Sequence, residues 1–460
     1  MGKHTDKKYL FEEMPIPRAY MSLSIPVVLS SLVTMLYNLA DTFFVGMLAD
    51  PIQNAAVTLV YPVTLAFYAA NNLFGVGTSS MMSRALGAGR EEQARISSAF
   101  GFYGALCSGL LFSLVCLLFQ VPLLRALGAG EDTFQATREY LHWTVVLGAA
   151  PTILNVVQGF MVRSEGAALH ASIGTMSGCI LNIILDPFFI LPWGLNMGAA
   201  GAGVATFLSN CMACLYFVIL ARVKGKGTCI CMDVRKLRKL SRQVVVGITT
   251  VGIPAAIQNL VNVLGVTLLN NFTAGFGAAA VAAMGIAQKL HNVVFQIMQG
   301  AGQGIMPLVS YNYSSGNRKR MKNAIRFALC ISVPLGTFAT LLYWFQAPEL
   351  IRLFLNRPEI ISVGTRLLRG MSLSMLCLGI DFMAVGVFQA LGMGRYALCY
   401  AMMRKVIMEI PLLFLLNRLW PLYGLPFAQV ISEFVLAVTS IILLRRIFRK
   451  SPDRVPVENP

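Results

Sequence analysis

Two carboxylates stand where the surrounding residues are almost wholly apolar. Asp186 lies in LNIILDPFFIL, a run from Leu181 to Leu191 that is greasy except for Asn182 and that acid. Asp41 lies in MLYNLADTFFVG. A carboxylate at mid-bilayer costs about 2.5–3.5 kcal/mol on insertion scales, so a retained one points to use in a cation or proton pathway. Asn182 and Asp186 are four residues apart and share one helix face. Pro187 has no N–H for the carbonyl of Ile183, which leaves an oxygen free beside a carboxylate and an amide. Tyr37 and Asn38 precede Asp41 by one helical turn, and Thr206 in GVATFLSN offers a hydroxyl. Hard oxygens of this kind suit Na+, and a membrane-embedded carboxylate suits a proton. Two readings stand for each acid. Asp41 either binds a cation or makes a helix-packing hydrogen bond. Asp186 either binds a cation or sits at a solvated helix end near the outer interface.

A second polar set follows in the other half of the chain: Lys289, Asp381, Glu409 and Glu433. Lys289 is expected to pair with a carboxylate. Asp381, mid-run in CLGIDFMAVGVF, is expected to face a cavity. Asn38, Gln258, Asn262, Lys289 and Asp381 are the candidate residues of a substrate cleft. Flexible Met and flat Phe side chains suit the wall of such a cleft, because they adapt to varied ligands.

Long apolar helices must hold these groups. The 460-residue chain is 56% hydrophobic and only 12% charged, against about a quarter charged for a soluble protein. Apolar runs of roughly 20 residues recur, each long enough to cross about 30 Å of hydrocarbon. The expected fold class is an all-α polytopic membrane protein. Twelve spans are read near 22–46, 57–82, 96–119, 140–162, 170–190, 201–221, 244–272, 278–304, 325–345, 367–390, 397–417 and 425–444. On that threading 27 Lys and Arg fall on one side and six on the other. The positive-inside rule then places both termini in the cytoplasm. Orientation accounts for the net charge of +17, and no nucleic acid is expected as partner. The N-terminus shows no apolar signal-peptide core, and Asp6 stands where a myristoylation pattern wants Ser or Thr. The ten cysteines are scattered, and Cys211-x-x-Cys214 has no second Cys or His pair, so reduced apolar fillers are expected rather than zinc ligands.

The chain repeats itself. IPVVLSSLVTML from Ile25 aligns with IPAAIQNLVNVL from Ile253, and GREEQARISSAF from Gly89 with GNRKRMKNAIRF from Gly316, at offsets of 228 and 227. GAGVATFLSN from Gly201 aligns with GLPFAQVISE from Gly424. Six spans per half is even, so both halves enter from the same side as parallel repeats. The expected division is 1–221 as a first lobe, 222–243 as a basic cytoplasmic linker, 244–448 as a second lobe and 449–460 as a polar tail. The acids do not repeat: Asp41 aligns with Leu269, and Asp186 with Ile410. The ionic site therefore belongs mainly to the first half.

The sequence resembles the MATE (multidrug and toxic compound extrusion) family, in its DinF-like and MepA-like bacterial branch, over about residues 15–448. The residues that carry the likeness are IPVVLSSLVTMLYNLADTFFVG, SRALGAGREEQA, RSEGAALHASIGTMSGCILNIILDPFFI, GAAGAGVATFLS and FQALGMGR. The resemblance implies two six-helix lobes that rock against each other and export driven by Na+ or H+ re-entry. It implies a first-lobe cation site at Asp41, Asn182, Asp186 and Thr206, with Tyr37 nearby. The other bacterial branch typically carries a glutamate in span 7, where this chain has IPAAIQNLVN and Gln258 nearby. Asp381 matches that branch's second-lobe acid but lacks its span 7 partner. The expected function is a monomeric secondary antiporter in the bacterial plasma membrane, surrounded by membrane lipid. It would export amphipathic and cationic organic compounds and need no cofactor beyond the coupling ion. The alternative is a lipid-linked precursor flippase, for which only Lys289, Arg369, Arg404 and Lys405 are available to hold a diphosphate. No ATP-binding or hydrolase motif appears, so no enzyme is expected.

Overall fold

A computed structural model describes residues 8–48 and 50–450, without the side chains of Lys226 and Lys450. Lys3, Lys7, the Lys226 side chain and the tail beyond 450, all counted on the basic side, lie outside the described residues. Everything regular among the described residues is helical. This follows from the composition: in hydrocarbon each backbone N–H and C=O must be met within the chain, and a helix does this locally.

Helix α1 is Ile16–Gly46, α2 is Pro51–Gly87 and α3 is Glu91–Leu118. Helices α4 (Glu131–Leu147) and α5 (Ala149–Ser164) meet at a bend of 44°. Then come α6 (Ala168–Ile190), α7 (Ala199–Lys224), α8 (Arg242–Ala274), α9 (Ala278–Ser314) and α10 (Arg318–Phe354). Helices α11 (Pro358–Ser372) and α12 (Met375–Ala390) form a second bent pair, at 43°. A helical run over 394–419 is α13, and α14 is Leu425–Lys450. Among the described residues nine helices are long and apolar enough to cross a membrane, or eleven when each bent pair is one span. The run α13 is the twelfth helical segment of span length. It carries Arg404, Lys405 and Glu409 near its middle, and these charges set it apart from the other spans.

Several helices extend well beyond the apolar cores read from the sequence. The 278–304 span continues to Ser314 and the 325–345 span runs from Arg318 to Phe354. Polar ends such as QGIMPLVSYNYS keep helical hydrogen bonds after their hydropathy has fallen. Pro187 sits inside α6 without ending it.

Contacts divide the chain into two compact units, residues 29–256 and residues 9–28 with 257–450. The division passes through α1 and α8, close to Pro26 and Pro254. In the second unit, α1 packs on α9 through small residues. A Cβ at Gly304 would lie 2.6 Å from Ser24 Cα, and one at Gly300 would lie 3.1 Å from Val28 Cα. Such sites let helix backbones approach closely where lipid supplies no hydrophobic drive.

Short straps lead into α1 and α8. Ahead of α1, Phe11 is buried and stacks on Tyr311 at 4.7 Å. Arg320 donates to the carbonyls of Phe11 (2.6 Å) and Leu10 (3.3 Å), and Asn312 donates to Phe11 as well (3.1 Å). Ahead of α8, the buried Glu165 carboxylate accepts from Thr228 Oγ1 at 2.8 Å and from the Cys229 N–H. Ser98 Oγ accepts from Cys231 N–H at 3.1 Å, and the Tyr103 hydroxyl donates to Met232 O at 2.7 Å. Residues 228–232 are thus pinned to the first unit, and Lys236 is ion-paired with Glu92 at 2.7 Å.

Candidate cation site

Helix α6 sets Asn182 and Asp186 one turn apart, and both are buried, at 1% and 0% exposure. That burial removes the solvated-helix-end reading of Asp186. With its amide turned to satisfy its neighbours, Asn182 donates to Asp186 Oδ2 at 2.9 Å. Its oxygen then accepts from Thr206 Oγ1 at 3.2 Å and Thr206 N–H at 3.1 Å. Thr206 comes from α7, whose GAAGAGVAT start is made of residues small enough to lie against α6.

The polar thread continues away from the acids. Asn210, one turn beyond Thr206, donates to Thr206 O at 2.8 Å and accepts from Asn155 on α5 at 3.1 Å. Asn155 Oδ1 and Gln158 Oε1 are buried with no hydrogen-bond partner. Sequence reasoning missed Asn155, Gln158 and Asn210, because an isolated amide in an apolar run has no periodic signal.

Helix α1 supplies Tyr37 and Asp41, again one turn apart. Both are half-buried, and Asp41 Oδ1 is buried with no hydrogen-bond partner. The helix-packing bond considered for that oxygen is therefore not made. The Tyr37 side chain reaches Thr206. Asp41 and Asp186 lie near enough for their charges to interact, and Tyr140 of α4 lies in the field of both. Tyr140 was also missed, since EYLHW reads equally well as an interfacial aromatic belt. Among the described residues no cationic side chain pairs with either acid.

Two carboxylates, an amide and hydroxyls, with no base paired to them among the described residues, form an oxygen-rich, net-acidic cluster. Its orphaned Asp41 Oδ1 fits a small monovalent cation or a proton as ligand. Among the described residues there is no group of three or more His, Cys, Asp or Glu able to hold a metal. Any cation here would thus rely on neutral oxygens beside the two acids.

The second-half residues are placed differently. Asp381 is buried at 3% and, with Gln258, Phe382, Tyr400 and Arg404, lines a small cavity of about 10 Å³, room for about one water. Asn262 is half-buried and Asn38 exposed. Lys289 is exposed and, among the described residues, pairs with no carboxylate, contrary to expectation. Closer bases take two of the acids: Arg404 lies 2.7 Å from Glu433, and Lys405 lies 2.6 Å from Glu409. All ten cysteines are free, and Cys214 donates to Pro151 O.

A model of the MatE family matches this chain twice, over residues 26–188 and 254–415. The chain belongs to the MatE family. The two matches begin 228 residues apart, the offset that aligns Ile25 with Ile253. Multidrug export protein MepA of Staphylococcus saprophyticus subsp. saprophyticus is 31% identical over 95% of this chain and 96% of its own length. The MepA of Staphylococcus aureus strain MRSA252 is 32% identical over 95% and 96%. Among solved structures, a MATE in complex with MaL6 superposes with a TM-score of 0.90 at 25% identity, covering 96% of this chain and 98% of the other. The outward-facing conformation of a multidrug resistance MATE family transporter of the MOP superfamily gives 0.89 at 26%, covering 96% and 97%. The double match makes the internal repeat a family property, and the fold is that of MATE transporters.

Proposed function

We propose that this MatE-family chain is a secondary multidrug exporter, moving amphipathic and cationic organic compounds against re-entry of Na+ or H+. The observation that carries the coupling is the Asp41, Asn182, Asp186 and Thr206 cluster, which holds two acids and no base. An acidic pocket in low dielectric favours entry of one small cation strongly. Binding neutralises the carboxylates and changes which packing of α1 against α6 and α7 is stable. Export then requires drug and cation to prefer different conformers, because a ligand with equal affinity for both shifts nothing. The names of the MepA relatives support the multidrug substrate class. Our reading also places both termini in the cytoplasm of a bacterial plasma membrane and takes the chain as a monomer.

The flippase reading is not favoured. Of its four candidate cations, Arg404 and Lys405 are committed to carboxylates, and Arg369 Nε donates to the Trp344 carbonyl at 2.9 Å. Purified protein in liposomes loaded with ethidium tests the exporter. Imposed Na+ and pH gradients should each be tried alone, and one of them should drive ethidium movement. Equal ethidium flux with and without both gradients would rule the antiporter out.

A further inference from the structure

The polar thread behind the two acids has a direction. Asp186 lies one turn from Ile190, the last residue of α6, and Asn182 lies a turn back toward the start of that helix. Helix α7 enters at Ala199, passes Thr206 and Asn210, and ends with Arg222 and Lys224. Helix α5 carries Asn155, then Gln158, and ends with Arg163. On all three helices the steps away from Asp186 run toward the end that bears the bases. The last members of the thread are the most enclosed. Asn155 is 7% exposed and Gln158 2%. They stand three residues apart on one face of α5, and neither Asn155 Oδ1 nor Gln158 Oε1 has a hydrogen-bond partner. A buried oxygen with no donor costs free energy, so two of them on one helix face point to a guest that brings positive charge. The bond from Asn155 Nδ2 to Asn210 Oδ1, at 3.1 Å, ties α5 to α7 just ahead of them.

The second half has a counterpart to this tie. Asn155 and Asp381 are each the seventh residue of their helix, α5 and α12. Asn210 and Glu433 end the aligned segments GAGVATFLSN and GLPFAQVISE. Asp381 lies against Glu433 as Asn155 lies against Asn210. One seam of the repeat is therefore polar in both halves, with amides in the first and acids in the second. Neutral amides offer oxygen to a passing cation without holding it, whereas an acid in low dielectric holds it strongly. In the second half Arg404 lies 2.7 Å from Glu433 and repels a passing cation. We propose that the Asn155–Asn210 bond is an inner gate for the coupling cation, closed in this structure. When the bond opens, Na+ leaves Asp41 and Asp186 along the oxygens of Thr206, Asn155 and Gln158 toward the basic end of the first unit. The inference deepens the antiporter reading and rests on its cation site.

Uptake of radioactive Na+ into proteoliposomes of the full-length chain, with no drug present, tests the gate. Asn155→Ala removes the closing bond and should raise uptake about fivefold, the rate equivalent of one net hydrogen bond. Asn155→Asp puts an acid on the route. It should bind Na+ more tightly in calorimetry, yet take up less than wild type. A residue that only packs α5 on α7 would move both variants the same way. Uptake by Asn155→Ala at or below the wild-type rate, in protein that runs as one species on gel filtration, overturns the gate. A rise in both variants overturns it as well. Should Asn155→Ala resist purification, Asn210→Ala removes the other half of the bond. The same rise is expected there, and its absence overturns the gate. Calorimetry on wild type separates the two readings. No Na+ bound by wild type overturns Na+ coupling and the gate together. Wild-type Na+ binding without faster uptake by the alanine variants overturns the gate alone.

Discussion

At Asp186 a carboxylate is wholly buried, bonded to an amide and near a second acid, with no base among the described residues paired to either. Asp186→Asn keeps the shape and removes the ionisable group. Gradient-driven efflux from proteoliposomes should fall to the leak rate, and Asp41→Asn should do the same, with both proteins present in the membrane at wild-type amounts. Near-normal efflux from the Asp186→Asn protein would mean that the acid has no part in coupling. Asn182→Ala discriminates between the coupling ions. The amide oxygen can ligate Na+ but is a poor proton carrier, so its loss should weaken Na+-driven efflux more than efflux driven by a pH gradient. An equal drop under both gradients would assign Asn182 a structural role alone. Asp381→Asn should shift substrate range or affinity while cation-driven conformational change persists. Loss of cation binding in Asp381→Asn but not in Asp41→Asn would move the coupling site to the second half.

The elements around the sites are held by a few polar ties at the ends of apolar helices. Glu165 closes α5 and holds the strap at Thr228 and Cys229. Glu165→Ala leaves a buried hydroxyl and a buried N–H unpaired, at about 1–3 kcal/mol for an unmet group. Trypsin should then cut at Arg235 and Lys236 faster than in wild type, as followed on gels of detergent-solubilised protein. An unchanged digestion rate would show that the strap holds without Glu165. The strap ahead of α1 rests on Phe11 instead. Phe11→Ala should cost about 3–5 kcal/mol, the range for a deleted core aromatic, and should be read as a lower thermal midpoint.

For the whole molecule, the asymmetry of 27 to six Lys and Arg predicts a cytoplasmic 222–242 segment. A single cysteine at the exposed Arg235, in a chain without its native cysteines, should resist an impermeant thiol reagent added outside intact cells. Ready labelling would reverse the orientation and with it the direction of transport. The strap that holds 228–232 lies on the same side, so protection by burial must be separated from sidedness. Labelling after permeabilisation does this, and Arg235→Cys should then react fully.

What was legible in the sequence and what was not divide along a physical line. Apolar run length, the charge bias between loops and the 228-residue self-similarity are properties summed over many residues. They were enough to read an all-helical membrane protein and the apolar centres of its spans, while the family was read from particular segments such as IPVVLSSLVTMLYNLADTFFVG and GAAGAGVATFLS. Asn182 and Asp186 were readable as neighbours because helix geometry alone places residues four apart on one face. Contacts between helices carry no such local signature. The family resemblance grouped Thr206 and Tyr37 with the acids, but only the tertiary structure brought Tyr140 into the field of both acids and threaded Asn210 and Asn155 behind them. The same limit explains Lys289. From the sequence it was the conspicuous base of the second half, but the packing of α12, α13 and α14 gave the acids to Arg404 and Lys405 and left Lys289 exposed. A buried charge takes the partner that folding brings within a few ångströms, and hydropathy along the chain contains no record of that distance.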